Sequence, residues 1–215
     1  MKPAAIGLRA HSGWAALVAV GGPLRAPIVV KRTRVEMIRG GMRAQPYHAA
    51  EHLPFHEAEA LITESAEVAR QLAYDGFRAV ADQLAAKDYE LSGCGILLSS
   101  ARPLPALQAI LRSHALIHTA EGELFRDALA HAAQRCGLAV IRTKERQALA
   151  EAAACLHLTD KDLSGRLMEI GREVGPPWRQ DEKLAALAGW IALGQDNQRN
   201  SGLAPGLKRI SAPTW

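Results

Sequence analysis

Apolar and polar positions change period along the chain, and each change marks a new element. Residues 4–9 form a short apolar run and residues 14–20 a longer one rich in Val, Leu and Ala. Ala10-His11-Ser12-Gly13 between them reads as a turn, and Gly21-Gly22-Pro23 ends the second run. Residues 27–38 alternate with period two, which puts Arg32, Arg34 and Glu36 on one face. Three strands with such short links predict an antiparallel meander. After an irregular stretch from Gly40-Gly41 to Pro54 the period becomes helical. Over residues 56–87, Ile62, Ala66, Ala69, Ala73, Phe77, Val80 and Leu84 fall on one stripe. A strand over 93–99, closed by Ser99-Ser100 and by Pro103 and Pro105, comes next. A second long helix is predicted over 107–136, capped by Gly137, with a break or close crossing at Gly122. A strand over 138–142 and a helix over 144–156 follow. Thr159 caps a helix running to residue 174, Gly175-Pro176-Pro177 stops it, and residues 181–193 carry the last strong stripe. The tail from Gln195 is polar, with Leu203, Leu207, Ile210 and Trp215 as apolar anchors.

This order predicts an α/β domain over residues 1–195 with a tail over 196–215. Its sheet is mixed and five-stranded: a three-strand antiparallel meander plus two parallel strands, flanked by helices. The 215 residues, 48% apolar and 22% charged, suffice for a core without disulfides or metals. No apolar run is long enough to span a bilayer, so no membrane partner is expected. The first residues lack the sustained apolar stretch of a signal peptide. Cys94, Cys136 and Cys155 are an odd set without a CxxC pair, which points to a cytoplasmic, reducing location. Charge is uneven: residues 1–50 hold eight cations against Glu36 alone, +7 within a net +4, so the remainder sums to −3. A basic N-terminal third suits a polyanion such as nucleic acid, with Arg9, Lys31, Arg32, Arg34, Arg39 and Arg43 as candidate contacts. The same charge suits packing against the chain's own acidic helices, and a homo-oligomer stays open.

Four places resemble the ribonuclease H-like superfamily in its RuvC-type resolvase form. Ile6-Gly7-Leu8-Arg9-Ala10-His11-Ser12-Gly13 resembles the opening strand and turn, where Gly-Ile-Asp-Pro-Gly is usual. The helix ending at Gly137 and leading into Leu138-Ala139-Val140-Ile141 resembles the second helix and fifth strand. Thr159-Asp160-Lys161-Asp162-Leu163, followed by Met168, resembles the segment in which a Lys precedes a short helix. Gln180-Asp181-Glu182-Lys183-Leu184-Ala185-Ala186-Leu187-Ala188 resembles the last helix, usually Asp-Ala-Ala-Asp-Ala-Leu-Ala. The resemblance implies a carboxylate cluster holding two divalent metals that activate water against a phosphodiester. Carried over by position, the first-strand Asp falls on Arg9, the fourth-strand acid near Ser99 or Ser100, and the second Asp of the last helix on Leu184. Asp181 alone matches, with Glu182 beside it as a substitute.

Two functional readings follow from the resemblance. One is a RuvC-like domain that has lost its nuclease chemistry and serves as a nucleic-acid-binding or assembly module. The other is a metal-dependent nuclease, using Mg²⁺ or Mn²⁺, with a relocated site of Glu36, Asp181 and Glu182. Bland roles compete for each residue: helix-dipole stabilisation for Asp181 and Glu182, and a same-face ion pair for Glu36. A third reading is a metal site. His48-Ala49-Ala50-Glu51-His52 matches the HxxEH pattern of inverzincin peptidases, with His56 four residues on. Pro46 and Pro54 leave that helix barely two turns and no second zinc-ligand helix is evident, which counts against a peptidase. His114, His118, Glu121 and His131 lie along the second long helix and read as surface residues at helical spacing. No GxSxG, GxxxxGK[ST] or GxGxxG motif occurs.

Overall fold

β1 (Lys2–His11) and β2 (Trp14–Gly21) pair antiparallel through the two-residue turn at Ser12 and Gly13, where Gly13 takes φ +82°. β3 (Ile28–Glu36) pairs antiparallel with β2 and completes the predicted meander. In this computed structural model, which describes residues 1–99 and 103–200 apart from the side chains of 198–200, the chain then crosses over twice. α1 (Pro46–Ala50) and α2 (Phe55–Ala85) lead to β4 (Tyr89–Leu98), parallel to β1. α3 (Leu107–Leu111) and α4 (His114–Arg135) lead to β5 (Ala139–Lys144), parallel to β4. A 3₁₀ turn (Glu145–Gln147), α5 (Ala148–Leu156), α6 (Asp160–Val174) and α7 (Gln180–Asn200) follow. The sheet order is β3-β2-β1-β4-β5, the mixed five-stranded architecture expected from the sequence.

Alternation along β1 sorts the core into two layers. Ile6 and Leu8 point to the face covered by α2 and α4, where Phe77, Val80, Leu84, Phe125 and Leu129 complete one cluster. Ala5, Gly7, Arg9 and His11 point to the opposite face, which α7 covers together with α5 and α6. Residues 185–193 of α7 are all buried, so this helix is wrapped on every side rather than along one stripe. Small residues make that fit. A methyl group on Gly7 would overlap the Ala185 carbonyl oxygen and the Gly189 amide nitrogen; one on Gly95 would overlap the Ala188 carbonyl oxygen. A Cβ on Gly189 would in turn sit 2.9 Å from the Gly7 nitrogen. Helix backbone therefore rests directly on strand backbone, and Trp190, 1% exposed, anchors the far side by donating from Nε1 to the Leu24 carbonyl at 2.9 Å.

Several boundaries differ from expectation. The second long helix breaks at Arg112 and Ser113, not at Gly122, which lies in the interior of α4 beneath the Arg126 guanidinium. The break lets Ile110 turn in against Ile117 and Ala120 as a small separate cluster. β4 starts at Tyr89, four residues before the predicted strand, because Tyr89, Glu90 and Leu91 pair with Lys2, Pro3 and Ala4 across a register shift. α6 opens with the predicted Thr159 cap, whose Oγ1 accepts from the Asp162 amide at 3.1 Å while the Asp162 carboxylate accepts from the Thr159 amide. α7 runs on to Asn200, past the expected start of the tail; Leu203, Leu207, Ile210 and Trp215 lie outside the described residues. Cys94 is buried and Cys136 and Cys155 are half-buried, none in a disulfide.

Since carbonyls and amides of the packed backbones cannot yield as side-chain tips can, Gly7→Ala or Gly95→Ala should destabilise the fold by about 3 kcal/mol or more, measured by urea unfolding. Gly137→Ala is not an equivalent control, because Gly137 needs φ +75°; Gly165→Ala, whose added methyl meets nothing within 4 Å, should be neutral or stabilising.

Candidate functional site

The carboxyl ends of β1 and β5 and the amino end of α7 meet at one edge of the sheet, the place where open α/β sheets carry their sites. The seating of α7 on Gly7 fixes how far Asp181, in its first turn, stands from β1. Arg9 occupies the centre. Its Nε and Nη2 donate to the two Glu145 oxygens, each at 3.1 Å, in a side-on fork. Its Nη1 donates to Asp181 Oδ1. His11, two residues along the same face, places Nε2 3.1 Å from the same oxygen. The group is part-buried, with side-chain exposures of 22% for Arg9, 28% for Asp181 and 36% for Glu145. Burial pushes the Asp181 carboxyl up, but the hydrogen bonds from Arg9 and His11 outweigh it, so the net shift is below the usual carboxylate range.

The network continues across the meander. The His11 ring stacks on Trp14 with centroids 4.3 Å apart, and the Arg34 guanidinium lies 4.0 Å from the Trp14 ring centre. Arg34 Nε also pairs with Glu36 at 2.6 Å, the same-face ion pair weighed from the strand period. Arg32 donates to the carbonyls of Gly175, Pro176 and Pro177, tying β3 to the loop between α6 and α7. Trp14, Thr33, Arg34, Arg179, Asp181 and Glu182 line a groove of about 460 Å³.

Among the described residues the three carboxylates of the relocated site do not gather into a metal-ligating group. Glu36 is held by Arg34, Asp181 by Arg9 and His11, and Glu182 accepts from the Arg179 amide at 2.8 Å as an N-terminal cap of α7. The basic candidates are also divided. Arg9 is consumed in the network and Lys31 points to the opposite face from Arg32 and Arg34. Arg39 and Arg43 are exposed in the segment after β3. Of the HxxEH residues, Glu51 caps the five-residue α1, His52 lies in the following turn and His56 opens α2 beside Glu57 at 3.9 Å. None of these three is brought to His48, because α1 ends before the second His could complete a helical turn. Ser99 follows β4 directly, and Ser100 lies outside the described residues.

Glu145 and His11 are the members that the sequence reading missed. The available signal was positional: His11 ends the strand that carries Arg9, two residues on along the same face, and Glu145 follows directly on the last residue of β5.

No family model and no curated protein matches the chain. Among solved structures it is similar to Thermus thermophilus RuvC in complex with a Holliday junction substrate, at 14% identity and a TM-score of 0.51. That alignment covers 93% of this chain and 96% of the other. A second Thermus thermophilus RuvC structure aligns at 11% identity and a TM-score of 0.49, over 94% and 98% of the two chains. The fold is thus the ribonuclease H-like fold. Its form, over nearly the whole chain, is that of RuvC.

With Asp181 depressed in the folded state, its contribution to stability is present above the unfolded carboxyl value of about 3.9 and lost as pH falls through the lower folded value. Asp181→Asn should therefore cost about 1–2 kcal/mol at neutral pH, with the difference from the parent shrinking below about pH 4. Urea unfolding across a pH series measures both.

Proposed function

We propose that this chain is a RuvC-like nucleic-acid-binding or assembly module without two-metal nuclease chemistry. The observation that carries the reading is Arg9, whose guanidinium bridges Asp181 and Glu145 at the place where the fold's first catalytic Asp stands by resemblance. Two divalent ions need several convergent carboxylates with free lone pairs. Here the two carboxylates that converge are already bridged by a fixed cation, and a third cation-binding group is not supplied by Ser99 or Leu184. The residues present do not fit the metal pair.

The binding half of the reading is supported by the groove beside this network. Arg34 and Arg179 are exposed there, Arg39 and Arg43 are exposed nearby, and no carboxylate lies on the intervening segment 37–50. Guanidinium forks suit phosphate oxygens, and the solved RuvC that shares the fold is bound to a DNA junction.

Filter binding to duplex, branched and single-stranded DNA over a salt series tests this half. Affinity should fall steeply with salt, and Arg34→Ala and Arg179→Ala should each lower the slope of log K against log salt by roughly one. Absence of binding at low salt would remove the nucleic-acid reading. Junction, flap and RNA substrates should stay intact with Mg²⁺ or Mn²⁺; cleavage that disappears in Asp181→Asn would instead establish the nuclease.

A further inference from the structure

On the other face of the sheet, at the junction of α1 with α4, a second polar cluster has no part in the Arg9 network. His48, on α1, meets His114 and His118, one turn apart at the start of α4. The ligating nitrogens of the three rings all lie within 4.8 Å of one another. His114 Nε2 and His118 Nε2 are 3.1 Å apart, and the ring centres are separated by 4.6, 4.7 and 5.4 Å. Three imidazoles sharing one tetrahedral ion at about 2.0–2.1 Å hold their nitrogens about 3.3 Å apart and their ring centres about 5 Å apart. The rings meet edge-on, at interplanar angles of 65–85°, as ligands radiating from one point do and stacked rings do not.

Behind His48 stands Glu121, 3% exposed, a carboxylate in the middle of an otherwise apolar helix face. Its Oε1 accepts from the His48 backbone amide at 3.0 Å and faces the ring Nδ1 at 3.2 Å; its Oε2 is buried without a hydrogen-bond partner. With Nδ1 turned to this carboxyl group, Nε2 is the His48 ring nitrogen left for a metal, and a carboxylate on the other ring nitrogen is the arrangement found behind metal-bound histidines. We propose that His48, His114 and His118 bind one divalent transition-metal ion of the zinc class, with Glu121 as the carboxylate supporting His48. His114 and His118 are exposed, so the fourth coordination position opens to solvent. The ion would pin α1 to α4. It is independent of the reading of the Arg9 site and uses none of its residues.

Zinc titration of the metal-stripped full chain, followed by bound-metal stoichiometry and melting temperature, tests the site. One zinc per chain should be retained, and the melting temperature should rise with free zinc. His114→Ala and His118→Ala should each abolish the retained zinc and the shift, with the metal-free melting temperature unchanged because both rings are exposed. Glu121→Gln should weaken zinc affinity about 10–100-fold. His52→Ala and His56→Ala should bind as the parent does. Failure of the parent to retain zinc, unaltered binding by His118→Ala, or loss of binding in His52→Ala would each overturn the proposal.

Discussion

Direct backbone contact between α7 and the central strands is the constraint on which the rest of the arrangement depends. Gly7 and Gly95, in adjacent strands, leave no side chain between the sheet and the helix, and Gly189 reciprocates from the helix side. A helix seated this closely buries every face, so the residues along it are necessarily small or apolar, and any polar group must sit at its ends. Asp181 is such a group. Its distance from β1 is set by the three glycines rather than by its own contacts, and the side chain two residues after Gly7 on the same face must meet it.

That side chain is Arg9, and its charge decides what the meeting does. A carboxylate there would stand against Asp181 and Glu145 and require cations from solution. A guanidinium satisfies both acids at once, with three donors spent on them and the positive charge held covalently. His11 adds a further bond to Asp181 and carries the network to Trp14 and Arg34, so β1, β2, β3, the 3₁₀ turn and α7 are tied through one connected polar layer. Arg32 closes the same layer against the loop preceding α7. Shifting the start of α7 would break both bonds that Asp181 makes to β1.

The architecture was legible because period changes are large-scale signals: two-residue alternation in the meander, a 31-residue stripe in α2, and glycine or proline at the joints. Arg9 and Asp181 were singled out from the sequence as well, each as a single position, and the structure brings the two together. Their other partners were not singled out. Glu145 sits in a 3₁₀ turn that has no stripe of its own, and its approach to Arg9 spans 136 positions of sequence. The grouping of His48 with His114 and His118 was hidden for a related reason. His48, Glu51 and His52 form a compact local pattern, whereas the structure ends α1 after five residues and turns His48 toward a helix whose histidines begin 66 positions later. Local spacing is informative only while the helix that gives it meaning continues, and Pro54 with the turn before it ends that helix. The break at Ser113 has the same origin: it serves the packing of Ile110 against Ile117, which no local pattern records.

A guanidinium and a hydrated metal ion both neutralise convergent carboxylates, but they differ in the chemistry they support. A divalent ion also lowers the pKa of bound water and exchanges ligands with a phosphoryl oxygen, because its coordination shell has positions the protein does not fill. A guanidinium has neither property. Its donors are fixed in a plane, it stays protonated, and each donor given to Glu145 or Asp181 is unavailable to a phosphate. Any polyanion must then be met by the arginines around the network, not by the one at its centre. Arg179, and Arg34 with its Glu36 partner, are exposed on the adjoining groove, where Trp14 contacts both His11 and Arg34.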